Sequence, residues 1–244
     1  MEISNLRIRN GWRPLWGAAL VLAAVLAAVS PAGAEDLLVD PTNSPYVLLF
    51  QDKAYGKVTI AVGDLNQIGG TTVIDTTLTL EIAAVYTLDG FLASNKLSVG
   101  QNEYVGKTGV GDFSQGTAAF SGTHSVGWDL NVGGLGAGTF TLGGSGSLSV
   151  GQDENIGSGL GAGAFFQGLL STGSILGFSG NHSVTRDLIL GSGLGAGAFT
   201  LCGSGDLEVG RDEIVGSTVG VGTFYQGIFS SGIILVQCNI YSFG

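Results

Sequence analysis

Internal repetition is the feature that most narrows what this chain can fold into. Five copies of a Gly-x-Gly-x-Phe-like element or its close variant end at Phe113, Phe140, Phe165, Phe199 and Phe224, at spacings of 27, 25, 34 and 25 residues. The long interval holds an insertion, LLSTGSILG at residues 169–177, so the underlying unit is about 25 residues. A second landmark, Leu-x-(Val/Leu)-Gly, recurs at Leu97, Leu130, Leu148, Leu188 and Leu207. Two kinds of unit alternate. LSVGQNEYVG, LSVGQDENIG and LEVGRDEIVG begin at Leu97, Leu148 and Leu207, whereas DLNVGGLGAGTFTLGGSG and DLILGSGLGAGAFTLCGSG begin at Asp129 and Asp187.

Within each unit the period is two. In Leu130-Asn131-Val132, Leu148-Ser149-Val150 and Phe140-Thr141-Leu142, large apolar residues alternate with polar ones, the pattern of short strands buried on one face. Between them sit glycine clusters, which supply the positive φ angles of tight corners. Glycine is 44 of 244 residues, about 18% against roughly 7% in average usage. Glycine costs about 1 kcal/mol per residue in a helix interior, which rules out an ordinary helical domain. A hydrophobic fraction of 44% and mean hydropathy of +0.41 exclude a disordered chain, and the lack of a Gly-X-Y period excludes collagen. Strands this short cannot each bury a face alone, but coils stacked on one another can. The expected fold is therefore all-β, a parallel β-solenoid of about five coils of roughly 25 residues over residues 97–232. The units are too short for propeller blades, and the strands too short for a membrane barrel.

The flanks differ. Residues 1–34 read as a secretory signal peptide: Arg7, Arg9 and Arg13 form a basic start, residues 18–29 are uninterruptedly apolar, and small residues precede a cleavage point after Ala34. Twelve apolar residues fall short of the roughly 20 that span a bilayer, so no membrane span is expected after cleavage. Residues 35–96, poor in glycine, are expected to form an N-terminal cap that covers the first coil's open edge. Residues 233–244, IILVQCNIYSFG, read as a degenerate or truncated tail. After cleavage 6 Lys and Arg face 18 Asp and Glu, a net charge of −12 that argues against nucleic acid and anionic lipid as partners. Export permits a disulfide between Cys202 and Cys238, and two separate thiols fit the sequence equally well.

The strings VGGLGAGTFTLGGSGSLSVGQDENIGSG and LGSGLGAGAFTLCGSGDLEVGRDEIVGS, with FSQG, FFQG and FYQG and the SGTHSV and SGNHSV segments, resemble the repeats of bacterial type V secretion (autotransporter) passengers and PEP-CTERM-associated exoproteins. The resemblance implies an exported, surface- or matrix-associated bacterial repeat protein with no enzymatic activity of its own.

Candidate chemistry is sparse. The pairs Asn102-Glu103, Asp153-Glu154 and Asp212-Glu213 recur at one place in the unit. Stacked, Glu103, Asp153, Glu154, Asp212 and Glu213 would form a carboxylate column able to hold a cation such as calcium. The plainer reading is a solvated corner, favoured because the calcium-binding nonapeptide is absent: GGSGSLSVG has Leu148 where its Asp would stand. His124 and His182 are repeat equivalents, explained without chemistry. Gln115, Gln167 and Gln226 are expected to form an amide ladder. GQNEYVGKT departs from a phosphate loop in the spacing of its glycines, and no serine-hydrolase elbow, zinc-protease motif or dinucleotide fingerprint occurs. The expectation is a secreted adhesin-like or structural protein, not an enzyme, with no catalytic, cofactor-binding or assigned metal residues and a surface, matrix or carbohydrate partner. The alternative is a carbohydrate-active β-helix, a polysaccharide lyase or hydrolase, using Arg186-Asp187 or Arg211-Asp212-Glu213 in a groove with carboxylates.

Overall fold

A computed structural model describes residues 34–49, 51–89, 95–116, 122–168, 180–202, 205–217, 219–226, 234–236 and 240–242, all within one compact unit, Ala34–Gly244. The described residues contain strands and no helix. The chain winds through β1 (Leu37–Val39), β2 (Tyr46–Leu49), β3 (Lys53–Tyr55), β4 (Val58–Ile60), β5 (Gly63–Ile68), β6 (Thr71–Ile74), β7 (Leu78–Leu80), β8 (Ala84–Asp89) and β9 (Lys96–Val99). It continues through β10 (Glu103–Val105), β11 (Val110–Gln115), β12 (Thr123–Val126), β13 (Leu130–Val132), β14 (Ala137–Leu142), β15 (Ser147–Val150), β16 (Glu154–Ile156) and β17 (Ala162–Gln167). Then come β18 (Asn181–Val184), β19 (Leu188–Leu190), β20 (Ala196–Leu201), β21 (Leu207–Val209), β22 (Glu213–Val215), β23 (Val221–Gln226), β24 (Ile234–Val236) and β25 (Ile240–Ser242).

Every third strand joins the same sheet. Three parallel sheets result, of nine strands from β1 to β25, eight from β2 to β23 and eight from β3 to β24, and they enclose one apolar interior. The fold is the expected β-solenoid, but the stack is longer than five coils. It begins ahead of the glycine repeat: β1 to β8, in residues 35–96, pair in register with the later strands of all three sheets instead of forming a separate cap. At the other end, β24 pairs with β21 and β25 with β22, so parts of the expected tail continue two of the sheets. The expected signal peptide (apart from Ala34) and the insertion at 169–177 lie outside the described residues. No helix among the described residues is long and apolar enough to cross a membrane.

The repeated landmarks mark two different things. The phenylalanines are true equivalents, one per coil in the second sheet, and with Tyr86 they form a continuous ladder. Ring centroids from Tyr86 through Phe113, Phe140, Phe165, Phe199 to Phe224 lie 4.6 to 5.2 Å apart, with planes within 12° of parallel. The Leu-x-(Val/Leu)-Gly strings are not all equivalent. Those at Leu97, Leu148 and Leu207 belong to the third sheet, and those at Leu130 and Leu188 to the first.

Corners between the first and second sheets explain part of the glycine content. Gly106, Gly133, Gly157, Gly191 and Gly216 occupy one corner position in successive coils, each with φ between 69° and 78°. A Cβ at Gly157 would lie 1.9 Å from the Ala196 carbonyl oxygen of the next coil, so both the dihedral and the close approach demand glycine.

Phe165, fully buried between Phe140 and Phe199, should be the most costly kind of truncation in this stack. Phe165→Ala is expected to lower unfolding free energy by about 3–5 kcal/mol in chemical denaturation. A loss below about 1 kcal/mol would contradict the ladder.

Candidate functional site

The acidic pairs separate in space. Glu103, Glu154 and Glu213 are the first residues of β10, β16 and β22, and consecutive strand residues point to opposite faces. The glutamates therefore turn inward, at 0%, 0% and 3% exposure, while Asn102, Asp153 and Asp212 stay on the corner outside. This corrects both sequence readings. The five carboxylates form neither one solvated corner nor one calcium column. The inward glutamates are also too far apart to share an ion, because Leu130 and Leu188 lie between them in the register. Two coils place them about 9.6 Å apart, whereas oxygens on one calcium ion each lie about 2.4 Å from it. No group of three His, Cys, Asp or Glu able to hold a metal occurs among the described residues.

The glutamates instead meet the histidines. His124 in β12 and His182 in β18 also point inward and are buried. His124 Nε2 lies 2.8 Å from Glu103 Oε2, in the same coil. His182 Nε2 lies 2.7 Å from Glu154 Oε2, equally close but with the N–H direction poorly aligned for a hydrogen bond. Each imidazole also stacks on the aromatic ladder, His124 on Phe113 at 4.9 Å and His182 on Phe165 at 4.8 Å.

Glutamine completes the polar set. Gln115 and Gln167 are buried, and each Nε2 brackets two corners: Gln115 donates to the Gly122 and Ser147 carbonyls at 2.8 and 3.1 Å, Gln167 to those of Gly180 and Asp206 at the same distances. They do not form an amide ladder, since Leu142 separates Gln115 from Gln167 and Leu201 separates Gln167 from Gln226. Gln67 adds a further bond, accepting from the Tyr86 hydroxyl at 2.7 Å. Burial pushes that hydroxyl's pKa above its ordinary value, which keeps it a donor. Phe140 and Phe199 stand where Tyr86 stands relative to Gln67, and the Oε1 atoms of Gln115 and Gln167 have no hydrogen-bond donor among the described residues.

A two-coil rule emerges. Coils with Glu, Phe, Gln and His inside alternate with coils that carry Leu at the Glu, Gln and His positions: Leu78, Leu88 and Leu97, then Leu130, Leu142 and Leu148, then Leu188, Leu201 and Leu207. The last acidic coil departs from it. Ile234 takes the histidine register there, and burial raises the Glu213 pKa above its ordinary value. Sequence reasoning identified the alternating units and both residue types but did not pair them. The available signal was that each SGTHSV or SGNHSV segment follows an Asn-Glu or Asp-Glu pair within one coil.

Outside, the corner between the third and first sheets carries a second ladder. Asn102, Asp129, Asp153 and Asp187 each use Oδ1 to accept the backbone N–H of the corner residue one coil on, at 3.2 to 3.3 Å. Arg186 and Arg211 lean back along it, Arg186 Nε to Asp153 Oδ1 at 3.3 Å and Arg211 Nε to Asp187 Oδ1 at 2.9 Å. The Arg211 hydrogen bond holds the Asp187 carboxyl below the usual carboxylate range. Cys202 is buried and has no disulfide partner among the described residues, and Cys238 lies outside them.

Fold and interior together define a β-solenoid whose polar coils are sealed between apolar ones. Among known proteins, no family model, no curated protein and no solved structure matches the chain. Chemically, the His–Glu side chains are fully buried and each imidazole stacks on a phenylalanine, so neither pair is open to a ligand from solvent. Breaking a buried pair strands one partner and costs about 3–5 kcal/mol, whereas replacing both partners by well-packed apolar residues is neutral or stabilising by about 1–4 kcal/mol. His124→Leu alone should therefore destabilise strongly. Glu103→Leu with His124→Leu, which copies the neighbouring coil's Leu130 and Leu148, should recover the loss. Denaturant midpoints of the two variants check this, and a double variant no more stable than the single one would refute it.

Proposed function

We propose that the chain is a secreted bacterial repeat protein with a structural or adhesive role at the cell surface or in the extracellular matrix, similar in kind to an autotransporter passenger and without catalysis of its own. The observation that carries this reading is the outer face of the third sheet. Ser98, Ser125, Ser149 and Ser183 stand in register there, one per coil, and the Ser125 hydroxyl donates to that of Ser98 at 3.1 Å. Such a face offers the same small hydroxyl group at each step of about 4.8 Å, which suits contact with an extended partner. The basic and apolar N-terminal segment, which reads as an export signal, and the strongly acidic balance support the same reading.

The carbohydrate-active alternative draws less support. A lyase or hydrolase needs arginine and carboxylates free to meet substrate, and Arg186 and Arg211 are each engaged with the corner carboxylate of the preceding coil. The glutamates that could have served as acid or base face the core. Incubated with a panel of acidic and neutral polysaccharides, the purified protein is expected to leave every chain uncleaved while its surface-displayed form increases cell retention on at least one of them. Product formation abolished by Arg186→Ala would overturn this proposal in favour of the enzyme.

A further inference from the structure

The second sheet changes character along the stack. Over β5 and β11 its outer face carries Asp64 and Asp112, and the corner leading to β11 carries Lys107. From β14 through β17, β20 and β23 every outward position is Ala, Thr, Phe, Val or Tyr, with no charge. Beside those strands, the corner from the first sheet presents Leu135, Leu160, Leu194 and Val219, one per coil, at 62% to 69% exposure. Val221 and Tyr225 extend the exposed apolar surface on the last of these strands. A large apolar residue left in water at one place in four successive coils is not required by the corner. Thr108 fills the comparable stretch of the preceding coil. Contiguous apolar surface of this kind marks an interaction site.

We infer that this face is where a second copy of the chain packs, sheet against sheet. Three properties favour that occupant. The chain carries a net charge of −10, yet this face carries none, so two copies meet here without bringing like charges together. Four strands at about 4.8 Å, each of six residues at about 3.3 Å and widened by the leucine corner, give a face of about 500 Å² per copy. Two such faces bury about 1,000 Å², the least a biological interface needs and in the range of weak, reversible pairs, which sets the micromolar test range below. Finally, side chains repeat at one pitch on both copies, so a two-fold arrangement matches coil to coil along the whole face, with small Ala and Thr allowing the usual sheet separation of about 10 Å.

Sedimentation equilibrium of the full chain between about 1 and 100 µM tests this. The wild type is expected to shift from one to two chain masses across the range. Leu135→Asp, Leu160→Asp and Leu194→Asp, each at an exposed position, should raise the midpoint concentration at least tenfold, and Leu38→Asp, exposed on β1, should leave it unchanged. Thermal melts and far-UV circular dichroism establish that each variant is folded, and reading three separate positions keeps one unfolded variant from deciding the matter. A wild type that stays monomeric throughout overturns the inference, as does a dimer whose midpoint none of the folded aspartate variants moves.

Discussion

Everything in this solenoid follows from stacking in register. Parallel strands one coil apart place each residue beside its counterpart, about 4.8 Å away, so a choice made once in the sequence becomes a column in the structure. Phenylalanine tolerates itself in such a column, and the ladder from Tyr86 to Phe224 shows it running unbroken. Buried glutamate or histidine does not. Two like charges about 4.8 Å apart in surroundings of effective dielectric about 20 repel by about 3.5 kcal/mol, and at twice the distance by about 1.7 kcal/mol. Placing a leucine coil between polar coils keeps the carboxylates and the imidazoles at the larger spacing. It also leaves Glu103 and Glu154 one partner each, the histidine of their own coil.

Outer columns obey the same rule by different means. At the corner before the first sheet, Asp129, Asp153, Asp187 and Asp212 do stack at single-coil spacing. Water, a backbone N–H donor for each Oδ1 that accepts along the ladder, and the guanidinium groups of Arg186 and Arg211 offset their repulsion. Serine columns on the third sheet need no such help. On the surface, charge is thus placed where solvent or a partner can neutralise it, and inside, Glu103 and Glu154 each meet a histidine while Gln115 and Gln167 bracket backbone carbonyls.

Much of this was legible in the sequence, and the omissions have physical causes. Phenylalanine spacing gave the coil length because an aromatic ladder admits few substitutions. Glycine gave the extent of the stack wrongly, because it reports only corners that need a positive φ or a close approach. Residues 35–96 use glycine at fewer corners, with positive φ at Gly63, Gly69 and Gly70, and turn elsewhere by other means: Asp40 and Asn43 hydrogen-bond the backbone of their own turn, and Ala83 adopts φ of 49°. A glycine-poor stretch therefore reads as a cap although it continues the stack. Adjacency in the acidic pairs suggests a shared surface, whereas in a strand it places neighbours on opposite faces. The same alternation hides the partners of His124 and His182, since glutamates beside exposed corner residues read as solvent-facing.

The central claim is that polar and apolar coils must alternate, and deletion of whole coils addresses it most directly. Removing residues 129–152 excises the single apolar coil β13 to β15 and stacks Glu154 on Glu103 and His182 on His124. Removing residues 129–186 excises β13 to β18, one apolar and one polar coil, and stacks Leu188 on Glu103 with alternation intact. Calorimetric melting of the two proteins should find the longer deletion the more stable, despite its smaller core. If the shorter deletion melts higher, alternation is not what organises this interior.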